Sequence, residues 1–123
     1  MKVLIVDDIQ DYLEALGRAL SGDYEVILAA SLEEAKARFS NEIDLALVDV
    51  RLSESDRSNR DGLALLEWIR SVSPNTPVVM MTAYSDADAI RLAAELGATD
   101  FLKKPIQISA LKALTASLKR GGR

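Results

Sequence analysis

The sequence predicts a doubly wound α/β domain, with five parallel strands and five helices on the two faces of their sheet. Three observations predict it. Short apolar, β-branched runs alternate with amphipathic segments from end to end. The runs are apolar at consecutive positions, as in strands covered on both faces. A chain of 123 residues is long enough for one such domain and too short for two ordinary ones.

Lys2–Val6 is the first apolar run. Ile9–Leu20 carries Tyr12, Leu13, Leu16 and Leu20 at helical spacing, and Gly22 stands where a helix end wants a left-handed residue. Tyr24–Ala30 reads as the second strand. Ser31 and Glu34 form a capping box, and Leu32, Ala35 and Phe39 continue a helix to about Phe39. Leu45–Asp49 is a third strand that ends in an acid. The polar segment 51–61 is a loop, followed by a helix over Gly62–Val72 with Leu63, Leu66 and Ile69 on one face. Ser73–Thr76 is a turn, and Pro77 can open the strand Val78–Met81, because a first residue need not donate to the ladder. Ser85 or Asp86 caps a helix that runs to Leu96 and stops at Gly97. Asp100–Lys103 is the fifth strand, and Ile108–Leu118 the last helix. Residues 1–120 are read as one domain and 121–123 as a tail, with the basic end from Lys119 frayed.

Composition narrows the chemistry. The chain has no cysteine and no histidine. Disulfides, thiolate and imidazole metal sites, and Cys-His or Ser-His nucleophiles are therefore excluded. Fifteen basic against nineteen acidic residues leave a net charge of −4, which argues against a nucleic-acid surface. No apolar run approaches the ~18 residues of a membrane span, and the N-terminus lacks the pattern of a signal peptide, so a cytoplasmic location is expected.

In a doubly wound sheet, ligands bind beyond the carboxyl ends of the strands, where strand order reverses. Asp7 and Asp8 follow the first strand, Asp49 ends the third, Thr82 follows the fourth and Lys104 the fifth. If the order is 2-1-3-4-5, these five converge. Close carboxylates repel, and a hard divalent cation such as Mg²⁺ is the natural compensation. A carboxylate nucleophile, a metal, an ammonium and a hydroxyl together suit phosphoryl transfer.

At these residues the chain resembles the receiver domains of two-component response regulators. The likeness runs from Val3 to about Leu118. It rests on Leu-Ile-Val-Asp7-Asp8, Leu-Ala-Leu-Val-Asp49, Asp61-Gly62, Met-Met-Thr82-Ala83 and Gly97-Ala-Thr-Asp-Phe101-Leu-Lys-Lys104-Pro105, in that order. The resemblance implies a flavodoxin-like sheet of order 2-1-3-4-5. It makes Asp49 the phosphoacceptor, served by a sensor histidine kinase or phosphotransfer protein. Asp7, Asp8, Asp49 and the backbone carbonyl of Arg51 would hold Mg²⁺. Lys104 would pair with the phosphoryl group, and is chosen over Lys103 because it directly precedes Pro105, across a bond expected to be cis. Thr82 and the backbone of Ala83 would meet the phosphoryl oxygens. Thr82 and Phe101 would form the switch, and Arg51 and Tyr84 would tune access of water.

By the same resemblance, the face of the fourth helix, fifth strand and fifth helix would carry the output, with Arg91, Glu95, Lys103 and Lys112 as exposed readers. The fourth helix, with Ala87, Ala89, Ala93 and Ala94, buries little area per residue and suits an element that moves. An output domain or partner on this face, or a phosphorylation-dependent homodimer, would follow. Membrane and direct nucleic-acid contacts would not.

Two features depart from the family pattern. Leu52 is followed by Ser53 rather than proline, and Asp61 lies twelve residues past Asp49, several more than the family spacing. The segment Ser53–Arg60 therefore reads as an inserted loop. Nothing follows the last helix but the short tail, which fits either a stand-alone receiver or a piece of a longer regulator. A competing class is a Mg²⁺-dependent phosphohydrolase with an aspartyl intermediate. Such enzymes place a second acid two residues past the nucleophile, where this chain has Arg51, so a switch rather than a turnover enzyme is expected. A nucleotide-binding module is disfavoured by the turn Asp-Asp-Ile-Gln-Asp, which has no glycine to cradle phosphate.

Overall fold

Five parallel strands hydrogen-bond in the order β2-β1-β3-β4-β5 in a computed structural model that describes residues 1–53, 55, 56, 58–83 and 87–121. The elements are β1 (Lys2–Val6), α1 (Gln10–Leu20), β2 (Glu25–Ala29), α2 (Leu32–Arg38), β3 (Leu45–Asp49), α3 (Asp61–Val72), β4 (Val78–Thr82), α4 (Ala87–Glu95), β5 (Asp100–Lys103) and α5 (Ile108–Gly121). The predicted architecture and strand order hold. The central strands β3 and β4 are buried at every position. Such strands need apolar side chains on both faces, which is why they read as continuous runs.

Alternate strand residues feed two separate cores. Leu4, Val6, Ala46, Val48, Val78 and Met80 face one side, with α2, α3 and α4 residues such as Ala35, Leu66, Ile69 and Ala93. Val3, Ile5, Leu45, Leu47, Val79 and Met81 face the other, with Leu13, Leu16 and Leu20 of α1 and Leu111 of α5. Each fully buried leucine or isoleucine contributes roughly 1.5–3 kcal/mol relative to exposure. A one-residue slip of any central strand would exchange its two sets, so register is strongly fixed.

Several local expectations are corrected. Gly22 does not take the left-handed conformation. Helix α1 ends at Ser21, whose N–H bonds the Gly17 carbonyl. Gly97 is the one described residue with positive φ, at 99°, and it follows α4 as expected. Helix α5 continues through Gly121, one residue into the expected tail, rather than ending at Leu118. Ser31 caps α2 by accepting from the Glu34 N–H at 3.1 Å, but the Glu34 carboxylate reaches back to the Ala30 N–H, one residue earlier than a capping box requires. The expected Ser85 or Asp86 cap of α4, and Tyr84, lie outside the described residues.

The segment after Asp49 folds back on itself. Asn59 Oδ1 accepts from the N–H groups of both Leu52 and Asp61, at 2.9 and 3.0 Å. This one side chain joins the two ends of the expected insertion and returns the chain to α3.

Candidate phosphoryl-transfer and metal site

Strand register brings the acids together. Val6 pairs with Val48, so Asp7 and Asp49, each one residue further on, leave neighbouring strand ends side by side. Asp49 follows Leu45 and Leu47 in the alternation that faces α1 and α5. Asp7 is fully buried, Asp49 nearly so, and Asp8 half-buried. One carboxylate oxygen from each of the three can be chosen so that all lie within 4.8 Å of one another.

Lys104 enters from the far side. Thr82 closes β4 beside Lys103 of β5, and the Lys104 N–H donates to the Thr82 carbonyl at 2.7 Å. The Lys104–Pro105 bond is cis, as the resemblance implies. The ammonium Nζ donates to Asp49 Oδ2 at 2.8 Å and lies 2.8 Å from Asp7 Oδ2. Its side chain is only 11% exposed, so the pair of contacts is shielded from solvent. The second contact is an ion pair to a wholly buried carboxylate oxygen, so one ammonium bridges the two acids. Asp7 Oδ1 accepts from the Ile9 N–H at 2.9 Å, which aims the carboxylate and ties it to the entry of α1.

These contacts set opposing pressures on the protons. Burial pushes the Asp49 carboxyl up to about 6, against the pull of Lys104, with Asp7 adding to the rise and the Arg51 N–H opposing it. Burial pulls the Lys104 ammonium down, but its contacts with Asp49 and Asp7 outweigh that and leave it raised. The lysine is thus a fixed cation among three acids.

The donor set fits a hard divalent cation. It offers three carboxylates from two strand ends and one ammonium that offsets only part of their charge. Asp7, Asp8 and Asp49 are the residues that could hold the ion.

The remaining expected site residues fall around this centre. Thr82 is buried at the end of β4, and Ala83 is exposed directly after it. Arg51 is half-buried, and its backbone N–H helps to draw the Asp49 carboxyl down against the effect of burial. Phe101 is partly buried in the core on the side of α4, two residues before the exposed Lys103. Pro105 is exposed.

Two further residues shape the site, though the sequence assigned neither a role there. A Cβ on Gly62 would lie 1.9 Å from the Asp49 carbonyl oxygen and 2.7 Å from that of Val50. Glycine lets the start of α3 rest directly on the backbone that carries Asp49, and the Gly62 N–H donates to the Val50 carbonyl at 2.9 Å. Its place in the Asp61-Gly62 pair was the only sequence signal. Tyr12, counted among the apolar positions of α1, is 47% exposed, and its ring centroid lies 5.0 Å from Lys104 Nζ.

Comparison with known proteins agrees with this geometry. The family described as "Response regulator receiver domain" matches residues 3–116. The chain is 37% identical over 121 residues to "Response regulator protein PilR" of Pseudomonas aeruginosa, covering 97% of this chain and 26% of that protein. It spans about a quarter of the length of the first curated relatives it matches. Among solved structures it superposes on the receiver domain of NtrX from Brucella abortus with a TM-score of 0.82 at 29% identity, covering 94% of this chain and 96% of that one. It superposes on a two-component response regulator from Clostridium difficile with a TM-score of 0.85 at 32% identity, covering 98% and 96%. With the family matched over nearly its whole length, the chain belongs to the response regulator receiver domains of two-component systems.

Proposed function

We propose that Asp49 accepts a phosphoryl group from the phosphohistidine of a sensor kinase or phosphotransfer protein. The observation that carries this reading is the single ammonium of Lys104 set 2.8 Å from both Asp49 and Asp7, inside a cluster of three carboxylates. A carboxylate oxygen of Asp49 attacks phosphorus, the bond from phosphorus to the donor nitrogen breaks, and an acyl phosphate remains. Lys104 offsets charge on the transferring oxygens, while the Thr82 hydroxyl and the Ala83 N–H donate to them. Asp7, Asp8, Asp49 and the Arg51 carbonyl would hold Mg²⁺, which supplies neutralisation of the oxygens as charge shifts between donor and acceptor.

The new charge then acts as a switch. Thr82 is drawn toward the phosphoryl oxygens and Phe101 turns inward behind it. The face of α4, β5 and α5 changes, and Arg91, Glu95, Lys103 and Lys112 present the change to an output domain, a partner or a second copy. Two features support this. Among its described residues α4 buries only Ala89 and Ala93, so little packing holds it in one position. Thr82 and Lys104 are joined through backbone, so a pull on either reaches both strand ends. The domain assists its own phosphorylation and slow dephosphorylation rather than turning over a substrate, since Arg51 stands where an aspartate-nucleophile phosphatase places its second acid. A cytoplasmic location fits this role, and among the described residues no helix is long and apolar enough to cross a membrane.

Intact mass after incubation with Mg²⁺ and acetyl phosphate tests the acceptor. The wild type gains one phosphoryl group and Asp49→Ala gains none. A gain that survives the substitution would place the acceptor elsewhere. Amide exchange with and without an acyl-phosphate mimic tests the switch, with changed protection expected over residues 87–104.

A further inference from the structure

Among the described residues, three elements converge on the Lys104 ammonium, and two of them bring a carboxylate. Asp7 and Asp49 each approach Nζ to 2.8 Å. The third is α1, which brings the ring of Tyr12 to 5.0 Å. The buried face of α1 is made by Leu13, Leu16, Gly17 and Leu20, and Tyr12 lies off it at 47% exposed. Core packing therefore does not account for this aromatic residue. An aromatic face carries negative potential and attracts a cation within about 6 Å of its centre.

We propose that Tyr12 is a positioning residue for Lys104, holding its ammonium at the place where phosphoryl oxygens arrive beside Asp49. The inference rests on the function proposed above. A lysine has a flexible four-carbon stem, and ordering it costs side-chain entropy. The carboxylates hold the ammonium through directed contacts, at least one of which must loosen when Asp49 is modified. The ring attracts it without demanding one direction, so the amine can turn from carboxylate to phosphoryl oxygen without swinging into water. The property required is the ring face and not the hydroxyl. Phenylalanine should therefore serve, and leucine, of similar apolar bulk but without a ring, should not.

The experiment compares wild type, Tyr12→Phe and Tyr12→Leu, all of which keep a residue compatible with a half-exposed helix position. Proton NMR of the Lys104 ε-methylene reads the ring directly, since protons over an aromatic face shift upfield. The rate of phosphoryl gain from acetyl phosphate with Mg²⁺, followed by intact mass, reads the consequence. The upfield shift is expected in wild type and Tyr12→Phe and absent in Tyr12→Leu. The phosphorylation rate should be unchanged in Tyr12→Phe and lowered roughly two- to fivefold in Tyr12→Leu, the scale of a partly exposed cation–aromatic contact. A Tyr12→Leu protein that is modified at the wild-type rate, or a wild type with no upfield shift, overturns the role of Tyr12 while leaving Asp49 as acceptor. A wild type that gains no phosphoryl group overturns the underlying function and the positioning role with it.

Discussion

The backbone of Gly62 rests against that of Asp49 so closely that a Cβ on the glycine would come within 1.9 Å of the aspartate carbonyl oxygen. Alanine at position 62 would gain about 1 kcal/mol in helix propensity. Forcing a methyl group against two backbone carbonyls costs more, typically 1–3 kcal/mol, because neither can rotate away like a side chain. Gly62→Ala is therefore expected to be less stable in urea melts, by up to about 2 kcal/mol. It should also shift the amide resonances of residues 49–51. An unchanged melt would mean that α3 can draw back from the strand end without loss.

Asp49 gives the fold a pH dependence opposite to that of an ordinary ion-paired aspartate. Burial raises its carboxyl from 3.8 to about 6. The folded protein then holds this proton more tightly than the unfolded chain does. Its stabilising contribution is complete below about pH 4 and is lost as pH rises through about 6. The gap corresponds to on the order of 3 kcal/mol. With divalent ions chelated, Asp49→Asn should be more stable than wild type at pH 8 by on the order of 2–3 kcal/mol and indistinguishable from it near pH 4. Equal urea midpoints at pH 8 would show that Lys104 fully compensates the buried charge.

Divalent ion should supply what Lys104 leaves uncompensated. Three carboxylates around one ammonium leave net negative charge at the strand ends. Mg²⁺ at a hundredfold excess over its Kd is expected to stabilise the wild type by roughly 2.7 kcal/mol. Asp8→Asn should weaken Mg²⁺ binding by calorimetry by tenfold or more and flatten this stabilisation, while the metal-free protein stays folded. Equal affinity in the variant would move the ion away from Asp8.

Arg70 braces the opposite end of the sheet. Its guanidinium donates twice to the Gly97 carbonyl, at 2.9 and 2.7 Å, and also to the Thr76 carbonyl. It joins the end of α3 to the turns before β4 and β5. Arg70→Ala should cost on the order of 1–2 kcal/mol, discounted for its partial exposure. It should speed amide exchange at residues 96–99 and leave the phosphoryl gain proposed for Asp49 intact. Protection at 96–99 equal to wild type would mean that the turn holds without it.

Much of the site was legible because strand ends are easy to find. An apolar run that stops at an acid marks both a strand and its carboxyl tip, so Asp7, Asp8 and Asp49 could be placed together once the strand order was granted. Lys104 followed from the proline after it. What escaped the sequence depends on distances between elements. The spacing of Tyr12 fits an apolar stripe, but spacing says nothing about how far α1 is rolled against the sheet, and that roll puts the ring over Lys104. Gly62 matters only because α3 begins against the Asp49 backbone. Gly22 and Gly97 look alike as helix stops, yet only Gly97 is left-handed, because the chain after α1 turns through Ser21 with ordinary angles instead.

The amide of Asn59 fastens the two feet of the inserted loop, clasping the chain at Leu52 and again at Asp61. Among the described residues between those feet, Ser55, Asp56 and Ser58 are exposed and bond locally, the Asp56 N–H to the Ser53 carbonyl and the Ser58 N–H to the Asp56 carboxylate. Changes at Ser55, Asp56 or Ser58 therefore touch neither foot, and the backbone that presents Asp49 is insulated from them.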